Sequence, residues 1–202
     1  MIGKPFASSQ LAIASIATGT ILRRITVTGT PNSLSATPDG KTIFISSDAS
    51  IWSAPTAGGE PRKIRTGNGV AGVGPLGKYL LVQVYEHPKI RLIKFPLDGS
   101  TEREIPLNGP YRLAPYTPIG SGNISMDGLL LAPLASSDSF FVSPGVVNLA
   151  TGHMMRIPVD PNFDYGFMAR SSGGQITAVA AGLKSTLWRF QPIAAEGVPT
   201  GR

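Results

Sequence analysis

Residues 37–48 read TPDGKTIFISSD, and the fold turns on this stretch. Pro38 and Asp39 suit the middle of a type I turn and Gly40 supplies the positive φ that follows it, so the flanking residues run antiparallel as a hairpin. Weaker copies of the turn recur as PLGKYLLVQV with Gly77, MDGLLLAPLA with Gly128 and SGGQITAVAA with Gly174, each leading into an apolar strand. Their intervals are 37, 51 and 46 residues. A second series runs in phase: IATGTILRRI with Gly19, TAGGEPRKI with Gly59, LDGSTEREI with Gly99 and LATGHMMRI with Gly152, at intervals of 40, 40 and 53 residues. Each of these turns opens a charged strand ending in isoleucine (Ile25, Ile64, Ile105, Ile157), the pattern of an edge strand protected by Lys, Arg and Glu. Two interleaved turn series at one period describe a repeated four-stranded unit.

The strand patterns fit that unit. In residues 79–85, Leu80, Val82 and Val84 share one face while Leu81 and Tyr85 share the other, so this strand is expected to lie between two sheets. Residues 43–45 and 176–179 read the same way. Segments 34–37, 69–73 and 122–125 are short and rich in Gly, Ser and Ala, as suits strands crowded around an axis. Helical periodicity free of Gly and Pro is absent from every long window, and residues 9–17 come nearest to it.

Composition agrees with a turn-rich, all-β chain. A length of 202 residues suits one domain, or part of one, with a sizeable core. Charged residues make up 15%, against about 25% in ordinary domains, while 24 Gly and 18 Pro punctuate the chain heavily. Zero Cys excludes disulfides, thiolate nucleophiles and cysteine zinc sites, and two His leave little for any other metal centre. No cofactor, metal or catalytic residue is expected. No apolar run reaches the ~18 residues of a membrane span. Residues 1–20 imitate a secretory leader faintly, but Ser8, Ser9 and Gln10 interrupt the apolar part and the same residues fit the repeat.

Radially arranged four-stranded sheets of roughly 40 to 45 residues make a β-propeller. The unit TPDGKTIFISSD followed by IWSAPTAGGEPRKI resembles the TolB-type, WD-repeat-like propeller repeat. That repeat has a Trp-Ser-Pro-Asp-Gly turn, an apolar strand, a Ser-Asp loop, a strand, a Gly-Gly turn and a basic strand. Ala36 and Thr37 stand here in place of the Trp and Ser, and the later copies lose the Pro-Asp pair. The resemblance is closest over 31–66 and fades through 67–107, 110–159 and 161–192. Residues 10–28 then supply half a blade, the next three segments a blade each, and 161–192 a terminal blade lacking its outer strand. The expectation is an all-β partial propeller of about four blades over 1–192, with 193–202 a flexible tail.

Propellers of this family usually have six or seven blades, which implies the C-terminal part of a longer protein. KSTLWRFQP resembles the end of propellers in bacterial multidomain proteins, serine/threonine kinases and winged-helix regulators among them. The resemblance implies a non-catalytic scaffold or sensor module that binds a protein or peptide partner or senses a ligand, and it favours a periplasmic or extracytoplasmic setting over a cytoplasmic one. The alternative is a substrate gate. TolB-like blades resemble those covering the active sites of prolyl-oligopeptidase-like and tricorn-like peptidases, whose catalytic domain is not encoded here.

Motifs with catalytic spellings reduce to this scaffold. Residues 67–72, GNGVAG, spell G-x-G-x-x-G, and 72–79, GVGPLGKY, spell a P-loop with Tyr79 where Ser or Thr should meet magnesium. Both need a following helix N-terminus for the phosphate, whereas 79–85 is a strand and Pro75 lacks an amide hydrogen. No G-x-S-x-G occurs, and His87 and His153 fall in turns. Asp39, Asp98 and Asp127 belong to turns, where their carboxylates bond local backbone. Arg23, Arg24, Arg62, Lys63 and Arg65 lie on edge strands, so nucleic acid is not favoured. Trp52 and Trp188 hold equivalent repeat positions, as interblade core residues would.

One loop stands out. Gly128 to Gly152 spans 24 residues against 19 for Gly40 to Gly59, and the surplus falls in SSDSFFVSPG. Phe140 and Phe141 are the candidate docking residues, the competing role being to cap the blade core. Self-association is also expected, through the unpaired ends: Leu11, Ile13 and Ile16 with no upstream strand over them, and a terminal blade ending at Phe190.

Overall fold

The turn that opens the reading has the expected geometry. A computed structural model describes residues 8–47, 50–66, 70–86, 89–114, 121–171 and 173–182. Gly40 has φ +67° and its amide donates to Thr37 O at 2.8 Å. The Asp39 carboxylate accepts the Thr37 hydroxyl at 2.6 Å and the Lys41 amide at 3.1 Å, and these bonds hold its carboxyl below the usual carboxylate range.

All described strands pair antiparallel with their sequence neighbours. A first hairpin joins β1 (Ser8–Ala14) and β2 (Ile21–Thr28). The next sheet holds β3 (Pro31–Ala36), β4 (Thr42–Ser47), β5 (Ser50–Pro55) and β6 (Arg62–Thr66). The third holds β7 (Val70–Val73), β8 (Tyr79–Glu86), β9 (Lys89–Pro96) and β10 (Arg103–Ile105). The fourth holds β11 (Tyr111–Leu113), β12 (Leu129–Ser136), β13 (Ser143–Asn148) and β14 (Met154–Arg156). A last hairpin joins β15 (Phe163–Arg170) and β16 (Ile176–Gly182). The chain is an all-β partial propeller of four-stranded antiparallel sheets. Residues 183–202, which carry Trp188, Phe190 and the expected tail, lie outside the described residues, as does His87.

The sheets stack face to face, and the two-sided strand is the joint. Leu80, Val82 and Val84 of β8 bury against Phe44 and Ile51 of the second sheet. Leu81, pointing the other way, buries with Leu113, Leu130 and Val147 of the fourth. A strand apolar on both faces can satisfy both only between two sheets. The same division occurs one blade earlier, where Phe44 joins the cluster toward β8 while Ile45 packs with Ile25, Val27 and Ala54. Trp52 packs on that latter cluster as an interblade residue.

Polar side chains stitch the crowded inner edges. The Ala71 amide donates to Ser46 Oγ at 3.1 Å, and Gln83 Nε2 donates to Ala114 O at 2.9 Å. Ser46 and Gln83 are buried and stand six residues after Gly40 and Gly77 respectively. Asn123 serves the next junction, donating to Met168 O at 3.0 Å. Each bond pairs an inner-edge backbone group that burial would otherwise leave without a partner.

Residues 9–17 form part of β1 and a turn, as the half blade over 10–28 requires, with Leu11 and Ile13 alternating with exposed Gln10 and Ala12. Two expectations need correction. Leu11 and Ile13 are not left bare: they pack on Ile25, Val27, Ile45 and Ala54, and the open face of the hairpin carries Gln10, Ala12 and Arg24 instead. Ile16, in the turn, is fully exposed. Finally, the inner strand of the fourth sheet is β11, whereas Ser121–Asn123 forms a 3-10 turn and Ile124 returns to the sheet by a single bridge to Leu130.

Candidate functional site

Loop 137–142 joins β12 to β13, and the structure separates its two phenylalanines. Phe140 is 88% exposed while Phe141 is half-buried, and their rings meet edge to face with centroids 5.7 Å apart. The loop is held from inside: the Phe141 amide donates to Ser139 Oγ, and that hydroxyl donates to Phe141 O, both at 3.1 Å. Asp138 is held below the usual carboxylate range by the Ser136 hydroxyl, with Arg156 adding a smaller attraction.

The loop is also tied to the last hairpin. The Val142 amide donates to Asp164 Oδ1 at 2.8 Å, and the Tyr165 amide donates to Val142 O at 2.9 Å. These bonds set the segment bearing Phe163 and Tyr165, whose rings are 6.5 Å apart, beside the phenylalanine loop. Two residues on, Phe167 has φ +42° at a bulge where the β15–β16 register slips, and its side chain is 76% exposed. A left-handed conformation is strained for a bulky aromatic residue. Aromatic surface from two blades is therefore gathered near one end of β15. Sequence reasoning found Phe140 and Phe141 but missed Phe163 and Tyr165, because the bonds through Asp164 and Val142 join residues about twenty apart with no shared motif.

The other sequence candidates that the structure describes lie in strands and turns. Gly67 and Gly69 lie outside the described residues, while Val70–Val73 and Tyr79–Glu86 are paired strands. The Tyr79 ring packs so closely over Gly74 that a Cβ there would collide with it, and Lys94 Nζ sits 4.4 Å from the ring centroid on cation–π terms. The tyrosine in the magnesium position thus fills a packing role, and Lys78 is exposed. Lys78→Ala should leave the melting temperature unchanged and Mg-ATP should not raise it, whereas a ligand at a hundred times its Kd would stabilise by about 2.7 kcal/mol. A clear ATP-dependent shift in a thermal melt would restore the nucleotide reading.

His153 is exposed in its turn, its amide donating to Thr151 Oγ1 at 3.3 Å. Asp98 accepts from the Ser100 hydroxyl at 2.6 Å and the Ser100 amide at 2.9 Å, and Asp127 is held low chiefly by the Ser125 hydroxyl. Arg23 donates to Pro55 O and Gly59 O across a blade junction, and Arg65 pairs with Glu102 at 3.2 Å. Among the described residues no cluster of His, Cys, Asp or Glu could hold a metal ion, and no helix is long and apolar enough to cross a membrane.

No family model and no curated protein matches the sequence. Solved structures do. Hydrazine synthase of Kuenenia stuttgartiensis aligns at TM-score 0.65 and 15% identity, over 91% of this chain and 53% of that one. TolB from Acinetobacter baumannii aligns at TM-score 0.56 and 12% identity, over 83% and 45%. The β-propeller domain of the Trilobed protease from Pyrococcus furiosus aligns at TM-score 0.50 and 13% identity, over 87% and 64%. The chain spans about half the length of the first two. At these identities the likeness shows the fold, a TolB-like β-propeller.

Proposed function

We propose that this chain is a non-catalytic β-propeller module, and that loop 137–142 is its docking point for a protein or peptide partner. The observation that carries the reading is Phe140, 88% exposed on a loop whose next residues are fixed by hydrogen bonds to its own serine and to the neighbouring blade. An aromatic ring held in solvent by an ordered backbone resembles the anchors that dominate interfaces, since little freedom is left to lose on binding. Phe163 and Tyr165 extend the surface from the next hairpin.

Phe140→Ser should change stability by no more than about 0.5 kcal/mol, as for other exposed side chains. Loss of binding in that variant then reports on docking and not on folding. A photo-crosslinking phenylalanine analogue at position 140, irradiated in the cells that make the protein, should yield a discrete adduct that excess wild-type chain suppresses and excess Phe140→Ser chain does not. No adduct, or equal suppression by both chains, would remove the loop from the account. A collapse of the melting temperature in Phe140→Ser would assign the ring to the core instead.

The likeness to a protease propeller domain supports a second reading, a gate that screens substrates for a catalytic domain. The neighbouring reading frame separates the two: a kinase or winged-helix domain favours docking and sensing, and an α/β-hydrolase domain favours the gate.

A further inference from the structure

The connection from β10 to β11 is strapped onto the β13–β14 turn by one residue. The Asn108 amide donates to Gly152 O at 3.0 Å, and the Met154 amide donates to Asn108 O at 3.3 Å. The side chain adds two more bonds, Nδ2 donating to Thr151 O at 2.8 Å and to Pro106 O at 3.3 Å. Ile105 and Met154 beside the strap are buried, with Leu107 packed against the same cluster. Asn108 itself is exposed.

Gly109 follows, exposed and with φ +114°. Among the described residues Asn108 is the only asparagine followed by glycine: Asn32, Asn123, Asn148 and Asn162 precede Ser, Ile, Leu and Phe. That neighbour matters chemically. The main-chain nitrogen after an asparagine can attack the side-chain carbonyl carbon, and a glycine nitrogen does so most readily because no Cβ crowds the approach. Among the described residues no hydrogen bond engages the Gly109 amide.

We propose that Asn108 is a site of spontaneous deamidation whose rate the strap controls. The Gly109 nitrogen bonds to Asn108 Cγ, the Cγ–Nδ2 bond breaks, and Nδ2 leaves as ammonia with the proton of the Gly109 amide. The five-membered imide then takes up one water and opens to aspartate or isoaspartate. Closing the ring requires Cγ to swing onto the Gly109 nitrogen. The native bonds oppose that swing, since Nδ2 is held on Thr151 O and the N–H and C=O of Asn108 are both held on the turn. The reaction therefore runs in molecules whose strap has opened locally. Either product keeps it open. Aspartate sets a carboxylate against Thr151 O, acceptor facing acceptor, and isoaspartate adds a methylene to the main chain between the two groups that pair with the turn.

The full chain, incubated folded in neutral buffer and digested with trypsin, provides the test. Peptide 104–112 carries Asn108 alone, while Asn68–Gly69, outside the described residues, falls in 66–78. Deamidation at Asn108, read by mass and by isoaspartate methylation, is expected about ten- to a hundredfold more slowly than in the free synthetic peptide 104–112. Gly152→Ala, whose methyl group meets the Pro106 carbonyl, should speed it toward the peptide rate. Gly128→Ala, with the same left-handed backbone but open space around it, should leave it at the wild-type rate. Should Gly152→Ala not fold, urea below the unfolding transition takes its place and should raise the wild-type rate. In the isoaspartate product the Met154 amide should exchange with solvent faster than in the unmodified chain. A native rate equal to the peptide's or below that range, no acceleration by Gly152→Ala over Gly128→Ala or by urea, or unchanged exchange at Met154 would each overturn the proposal.

Discussion

Gly152→Ala is expected to destabilise the chain by on the order of 3 kcal/mol or more, while Gly128→Ala costs about a third of that. Both glycines have left-handed backbone, φ +76° and +79°, so a methyl group strains the main chain alike at either site. Only their surroundings differ. A Cβ on Gly128 meets nothing within 4 Å, whereas one on Gly152 collides with the carbonyl of Pro106. That carbonyl belongs to the connection from β10 to β11, which Asn108 and Gly152 O hold against the β13–β14 turn. The strap cannot retreat without breaking those bonds. At about 2–4 °C per kcal/mol for a chain of this size, the two variants should differ by several degrees in calorimetric midpoint. Equal midpoints would show that the connection does not lie against the turn.

Leu81→Ala should cost about 2–5 kcal/mol, the range for a large buried aliphatic cut to a methyl. Leu81 is fully buried and joins Leu92 and Ile105 of its own sheet to Leu113, Leu130 and Val147 of the next. Interdigitated sheets cannot slide together to fill the gap, since the strands are fixed by their ladders and by Gln83 on Ala114 O. Leu76 is the matched control, a turn leucine 60% exposed, and Leu76→Ala should change stability by less than about 0.5 kcal/mol. Denaturant melts of the pair measure the difference. A Leu81→Ala chain as stable as the Leu76→Ala chain would mean that β8 has only one covered face.

What could be read from the sequence was local or periodic. The turn at residues 37–40 is legible because Pro38, Asp39 and Gly40 each have a conformational preference that needs no tertiary partner. The sandwiching of β8 is legible because period-two alternation assigns Leu80 and Leu81 to opposite faces whatever lies beyond. Contacts between blades were not legible. Ser46 and Gln83 look like ordinary polar residues in apolar strands, and only the arrival of Ala71 and Ala114 from the next blade gives them partners. The inner strand of the fourth sheet was misplaced for a related reason. Tyr111 pairs with Ser136 across a long excursion, so the Gly-Ser segment nearest the turn was not the strand itself. Of the candidate docking site, Phe140 and Phe141 were visible as aromatics among Ser, Asp and Pro, while Phe163 and Tyr165 enter through two bonds to Val142 that no local pattern marks.

The stacking of blades on both faces of β8 is the premise of the partial-propeller fold. Nuclear Overhauser effects between assigned methyl groups measure it directly. The account predicts cross-peaks from Leu80 and Val82 to Ile51 of the second sheet, and from Leu81 to Leu113 and Leu130 of the fourth, with no exchange of partners between the two sets. Cross-peaks from Leu80 and Leu81 to one and the same sheet, or none from Leu81 to the fourth, would contradict it.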